Sequence, residues 1–287
     1  MFNPKTVLAG AFGDYLARLY LDYFAGQRPD HAPLIGAVAR LALERIAATD
    51  APYHDAEHTM MVTLVGQQIL RGKLMTEGVT PEDWLHFTVA TLLHDIGYVR
   101  GACRGDTART AIITAEGESV TPPRGATDAY LAPWHVTRGI IFVRERFADH
   151  AVLDAERLAR CIAATRFPVS GDGKGMDVEG RAVGDEAALV RAADLIGQLG
   201  DPLYHRKVAA LFSEFRENGQ AETLGYGDAV DLLERYPEFF WSRIEPFIGV
   251  AEGHLEQTVE GTTWLGQLYA TVFRAEHQRD TLGPFPG

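Results

Sequence analysis

Cysteine is scarce in this sequence: Cys103 and Cys161 are the two among 287 residues. Two thiols without C-x-x-C spacing make neither a disulfide framework nor a thiolate metal site, so any metal must be held by histidine and carboxylate. We expect a loop thiol at Cys103 and a core residue at Cys161. Positive charge is short as well. With 27 Lys and Arg against 39 Asp and Glu, the formal net charge is -12, and no basic run offsets it. Polymeric nucleic acid and anionic membrane surfaces are therefore not expected partners. No apolar run reaches the roughly 18 residues that a spanning helix needs. The N-terminal MFNPKTVLAGAFGDYLARLY lacks the uninterrupted apolar core of a signal peptide, so a cytoplasmic location is expected. Alternating period-two runs are essentially missing too, which counts against a sheet.

What is present is helical periodicity. Apolar side chains make up 46% of the chain, enough for a substantial core. They recur at helical spacing in VLAGAFGDYLARLYLDYF, LIGAVARLALERIAA and HTMMVTLVGQQIL. The same spacing returns in PEDWLHFTVATLLHDIG, HVTRGIIFVRERF, DAERLARCIAAT, DEAALVRAADLIGQL and YHRKVAALFSEFREN, and in a long run from Trp241 to His277. We read a single all-α domain over residues 1–287, interrupted by Gly- and Pro-rich segments at 100–134 and 167–184 of the kind that form active-site lids or stay disordered. GDGKG at 171–175 lacks the spacing of a phosphate loop and follows no strand.

Three short pieces place metal-ligand chemistry in apolar helical surroundings: YHDAEH at 53–58, LLHDIGY at 92–98 and AADLIGQ at 192–198. HDAEH fits H-x-x-E-H, the zinc-peptidase pattern in which both histidines hold the metal and Glu57 is the base. The alternative gives His58 to a metal and His54 to a proton. The other two pieces favour the second reading. His94 and Asp95 follow the apolar ATLL, and Asp194 sits in LVRAADLIGQL; unpartnered charges buried there would cost several kcal/mol. A shared divalent cation removes the difficulty. Adjacent residues on a helix diverge by about 100 degrees, so His94 and Asp95 can meet one ion only at a helix end, which Gly97 suggests. His58 completes two nitrogens and two carboxylates.

In this order the residues resemble the HD-domain metal-dependent phosphohydrolases, whose ligands run H…HD…D on a helical core. The resemblance covers residues 53–198. Tyr53-His54 is similar to the Y-H-N-x-x-H element of cyclic nucleotide phosphodiesterases, and IAATRF at 162–167 to their I-x-A-T segment. Asp55 stands where that element has Asn, Tyr98 where an H-D-x-x-H pattern has its second histidine, and Thr165 near where two-metal members place another ligand.

The resemblance implies an enzyme that cleaves a phosphomonoester or phosphodiester, nucleotides among the candidate substrates. It implies a divalent metal (Mn, Mg, Fe, Zn or Ni) on His58, His94, Asp95 and Asp194, with Asp95 able to bridge to a second, loosely held ion. His54, four residues before a ligand and so expected on the same helix face, would protonate the leaving oxygen. Substrate contacts are expected from His135, from Arg138 one turn later, and from Tyr98; Arg100, Arg104 and Arg166 are weaker candidates. Asp55 and Glu57 are expected in a first helical turn, where the dipole favours negative charge. His86, His205 and His254 have no partner pattern and are read as structural. Three rivals stand beside this reading. They are an HD-type di-iron oxygenase, the H-x-x-E-H peptidase, and a nucleotide-sensing domain without turnover.

Overall fold

In a computed structural model that describes residues 3–166 and 186–277, helix starts fall where capping side chains and prolines place them. Asn3 accepts from the Lys5 amide ahead of α1 (Pro4–Phe24), whose first residue is proline. After α2 (His31–Ile46), Asp55 opens α3 (Ala56–Thr76) by accepting from the amides of Glu57 and His58. Thr80 and Asp83 cap each other reciprocally before α4 (Pro81–Leu93). A two-residue antiparallel pair, β1 (Ala111–Ile112) with β2 (Ser119–Val120), sets Ala111 opposite Val120. A 3-10 helix, Asp128–Trp134, then leads directly into α5 (His135–Phe147). Asp154 caps α6 (Ala155–Ala164), and α7 (Glu186–Leu199) and α8 (Tyr204–Glu217) follow. Short helices α9 (Gln220–Leu224), α10 (Ala229–Glu234) and α11 (Tyr236–Phe239) come next. A π turn, Phe240–Ile244, runs into α12 (Glu245–Leu255), and α13 (Val259–His277) ends the described chain.

The fold is all-α. α3 lies along α7 and against α4; α6 contacts α4, α5 and α7; α1 packs on α2, and α2 on α4. α12 and α13 pack against α3, α7 and each other. No helix among the described residues is long and apolar enough to cross a membrane. The expected single run from Trp241 to His277 is broken after Leu255, where Thr258 accepts from the Gly261 amide and starts a new helix. The segment 100–134 is held by side chains rather than left loose. Arg100 pairs with Asp128 and Asp50, and Glu217 accepts from both the amide and the hydroxyl of Thr127 at 2.6 Å. The segment 167–184, with GDGKG, lies outside the described residues.

Two glycines bring the elements of the site together. A Cβ on Gly197 would stand 2.7 Å from the Val62 Cα, so only glycine lets α7 approach α3 this closely. A Cβ on Gly97 would stand 1.8 Å from the His135 carbonyl oxygen, where the turn after α4 meets the start of α5.

Candidate metal centre

α4 stops at Leu93, and Asp95 leaves the helix with φ -104 and ψ 8 before a 3-10 turn over Ile96–Tyr98. That exit turns the adjacent His94 and Asp95 side chains toward one point. His58, in the first turn of α3, and Asp194, one turn before Gly197 on α7, reach the same point. Asp95 Oδ2 lies 3.0 Å from His94 Nε2 and 3.3 Å from His58 Nε2, and Asp194 Oδ1 lies 3.5 Å from each ring. The two Nε2 atoms are 3.4 Å apart. The cluster is buried, with Asp194 the most open member.

These donors fit a divalent cation. His94 Nδ1 is 2.9 Å from the Thr91 carbonyl, which can only accept, so in the neutral ring Nε2 carries the lone pair that faces His58. Asp95 Oδ2 is buried and has no properly directed hydrogen bond despite two ring nitrogens nearby. Two carboxylates and two neutral imidazoles leave a surplus of negative charge. Without a cation, that surplus holds a proton on His94: burial opposes it, but Asp95 and Asp194 keep the ring's pKa well above the imidazole range. Burial would likewise raise both carboxylates, yet His94 and His58 hold them well below the usual range. A metal ion supplies the same positive charge with the coordination that His and Asp prefer. His58, His94 and Asp194 present atoms within 4.8 Å of one another, and so do His54, His58 and Asp95.

His54 does not share a helix face with His58, contrary to expectation, because α3 begins at Ala56 and Asp55 is its cap. It reaches the centre from a bend, held by Glu214 on α8. One Glu214 oxygen accepts from the amides of Tyr53 and His54 at 2.6 and 3.1 Å, and the other is 2.5 Å from His54 Nδ1. Burial pushes the His54 pKa down, but the Glu214 carboxylate overcomes this and raises it to about 9. Glu214 is nearly inaccessible, and its own pKa is lowered: burial raises it, but the His54 charge and hydrogen bonds outweigh that. Sequence reading missed it. The available signal was a carboxylate embedded in the apolar LFSEF.

His135, the first residue of α5, does reach the centre, with Nε2 3.7 Å from Asp95 Oδ1. Its Nδ1 is 2.5 Å from the Ala132 carbonyl, so Nε2 is an acceptor facing another acceptor. Burial lowers its pKa and keeps it neutral. Tyr98 lies between the two outer histidines. Its ring stacks 4.4 Å from His54 at 12° and 4.6 Å from His135 at 24°, so its faces are taken by the two imidazoles and the expected substrate contact would fall to its hydroxyl edge. A cavity of about 80 Å³ lined by Tyr53, His58, Asp201 and Lys207 has room for waters beside the centre.

The model of the Npun_R2479-like family matches residues 2–278. The chain belongs to that family. No curated protein matches it.

In this Npun_R2479-like protein several expected contacts go elsewhere. Arg138 cannot meet a phosphate: it is fully buried, and all five of its N–H groups bond within the protein. Arg104 donates to the Glu145 carbonyl, and Arg166 to Thr137 at 3.0 Å. Glu57, the base of the peptidase reading, lies at the surface 2.9 Å from Lys207. Cys103 lies in a loop, as expected, and is buried there, its thiol pushed up to about 12 by burial. His86 is structural, with Nδ1 on the Glu82 carbonyl and Nε2 accepting from the Asp154 amide.

Proposed function

We propose that this protein is an HD-type metal-dependent phosphohydrolase that cleaves a small phosphomonoester or phosphodiester in the cytoplasm, with nucleotides among the candidate substrates. The observation that carries the reading is the convergence of His58, His94, Asp95 and Asp194 beside a histidine held at Nδ1 by a buried glutamate. Those four residues would hold the ion. When bound, a divalent cation lowers the pKa of water from about 15.7 toward 7 and offsets charge on phosphoryl oxygens.

The chain's own residues divide the proton work. His135 Nε2 and Asp95 Oδ1 are acceptors 3.7 Å apart, and a donor belongs between them. The attacking water is that donor: its oxygen bonds to phosphorus while its proton passes to this pair. The ester P–O bond breaks on the other side, and His54 gives its Nε2 proton to the leaving oxygen as Glu214 holds the Nδ1 edge. Glu57 at the surface leaves the peptidase reading without its base. Asp95, with one oxygen toward His58 and His94 and the other toward His135, also favours a second reading, a bridged di-iron oxygenase. Iron at two per chain with oxygen uptake would select it.

Purified protein assayed on a panel of phosphoesters with metal analysis tests the proposal. His54→Ala should keep its metal and lose about 10²-fold or more in kcat, the usual weight of a general acid. Asp95→Ala should lose both. An active wild type free of metal sinks the reading.

A further inference from the structure

Arg138, one turn after His135 on α5, is bound in an unusual way. Its Nε donates to the Gly97 carbonyl at 2.7 Å and one terminal nitrogen to the Val99 carbonyl at 2.9 Å. These two carbonyls flank Tyr98. The remaining N–H groups go to both Asp106 oxygens at 3.0 and 2.9 Å and to the Ile112 carbonyl at 2.5 Å. Asp106 is locked in turn by the amides of Gly101, Cys103 and Ile112. The pair is almost fully buried.

Stability alone does not account for this arrangement. A buried ion pair replaced by apolar side chains of similar volume is often neutral or more stable. An apolar pair cannot fix the positions of two carbonyls, and those carbonyls carry Tyr98. The Tyr98 ring gives both outer histidines a face-to-face contact, which for His54 adds to edge-on contacts with Tyr53 and His58 at 5.2 and 5.4 Å. His54 is held at Nδ1 by Glu214, and His135 at Nδ1 by the Ala132 carbonyl. One hydrogen bond at Nδ1 still leaves an imidazole a small pivot about its Cβ–Cγ bond. A ring stacked on its face removes that pivot, and Tyr98 stacks on both.

We infer that Arg138, locked by Asp106, is a positioning residue that sets Tyr98 as a spacer between His54 and His135 and so fixes where their Nε2 atoms point. What this does for turnover rests on the phosphohydrolase reading; the placement of the rings does not.

The test uses the full chain in two variants, Arg138→Met with Asp106→Leu, and Arg138→Lys. Lysine keeps the charge against Asp106 but gathers its donors on one nitrogen and cannot bridge both carbonyls. Imidazole C–H proton resonances are assigned by their loss in His54→Gln and His135→Gln. In wild type these signals are shielded by the Tyr98 ring current. Folded variants that still bind metal should show them moved downfield. Their kcat on 5′-AMP, whose departing alkoxide needs a proton, should fall by about 10-fold to 10²-fold, the scale of a small misplacement of reacting groups, with KM little changed. Unmoved imidazole signals in either folded variant overturn the inference, as does unchanged kcat in an active protein. A metal-loaded wild type without turnover overturns the phosphohydrolase reading instead, and the ring-current comparison still decides the positioning role.

Discussion

At the scale of single residues, the centre is built from groups that are costly to bury singly and stable together. Glu214 shows this best. It satisfies two backbone amides and one imidazole with two oxygens, so its charge is delivered to the proposed proton donor. On the phosphohydrolase reading His54 acts in its protonated form, so turnover should fall as pH rises through a pKa that the Glu214 carboxylate holds above the ordinary imidazole range. Glu214→Gln keeps the shape and removes the charge, and the alkaline limb of the kcat profile should then move down toward the ordinary imidazole value of about 6.5. An unmoved limb would take the acid role away from His54. The adjacent His94-Asp95 pair was legible in the sequence because charged residues after an apolar run demand a partner. Glu214 was not, since it acts across 160 positions and no local pattern links it to His54. Arg138 misled for the same reason: its partner Asp106 lies in a loop, and spacing alone cannot tell a buried arginine from one waiting for phosphate.

At the scale of elements, most helices were legible because 3.6-residue periodicity and capping residues agree. HVTRGIIFVRERF coincides with α5 from His135 to Phe147. Other features depend on contacts that periodicity does not record. The break between α12 and α13 needs no proline, only Thr258 capping Gly261, and the order of segment 100–134 comes from carboxylates on other elements. The approach of α7 to α3 is such a contact, and it governs the centre. Gly197 is three residues after Asp194, and its missing Cβ lets Asp194 Oδ1 come within 3.5 Å of His58 Nε2. Gly197→Ala should force the helices apart, destabilising the protein by about 1–3 kcal/mol as overpacking does. It should also weaken metal affinity although no ligand has changed. Calorimetric titration of metal beside a melting curve would measure both. Lost stability with unchanged affinity would mean that α7 can shift without carrying Asp194 away.

At the scale of the whole molecule, the four proposed ligands tie together helices that otherwise meet through apolar packing and a buried Gln67–Thr88 hydrogen bond. His58 comes from the start of α3, His94 and Asp95 from the end of α4, and Asp194 from α7. In the unfolded chain His58, the adjacent His94-Asp95 pair and Asp194 are far apart and bind weakly, so an ion that binds only the folded form shifts the equilibrium toward it. At free metal one hundred times Kd, the gain is about 2.7 kcal/mol. For a chain of this size that corresponds to a rise in Tm of roughly 5 °C or more. Removing metal with a chelator should therefore lower Tm by that amount, and adding a divalent ion back should restore it. Asp194→Ala should abolish the response, because it removes a ligand without opening the core. His54→Ala should keep it, since the proposed proton donor stands outside the four proposed ligands. A wild-type Tm indifferent to chelator and added ions would show that the carboxylates are compensated by protons on His94 and not by a metal. The centre would then be a structural charge cluster.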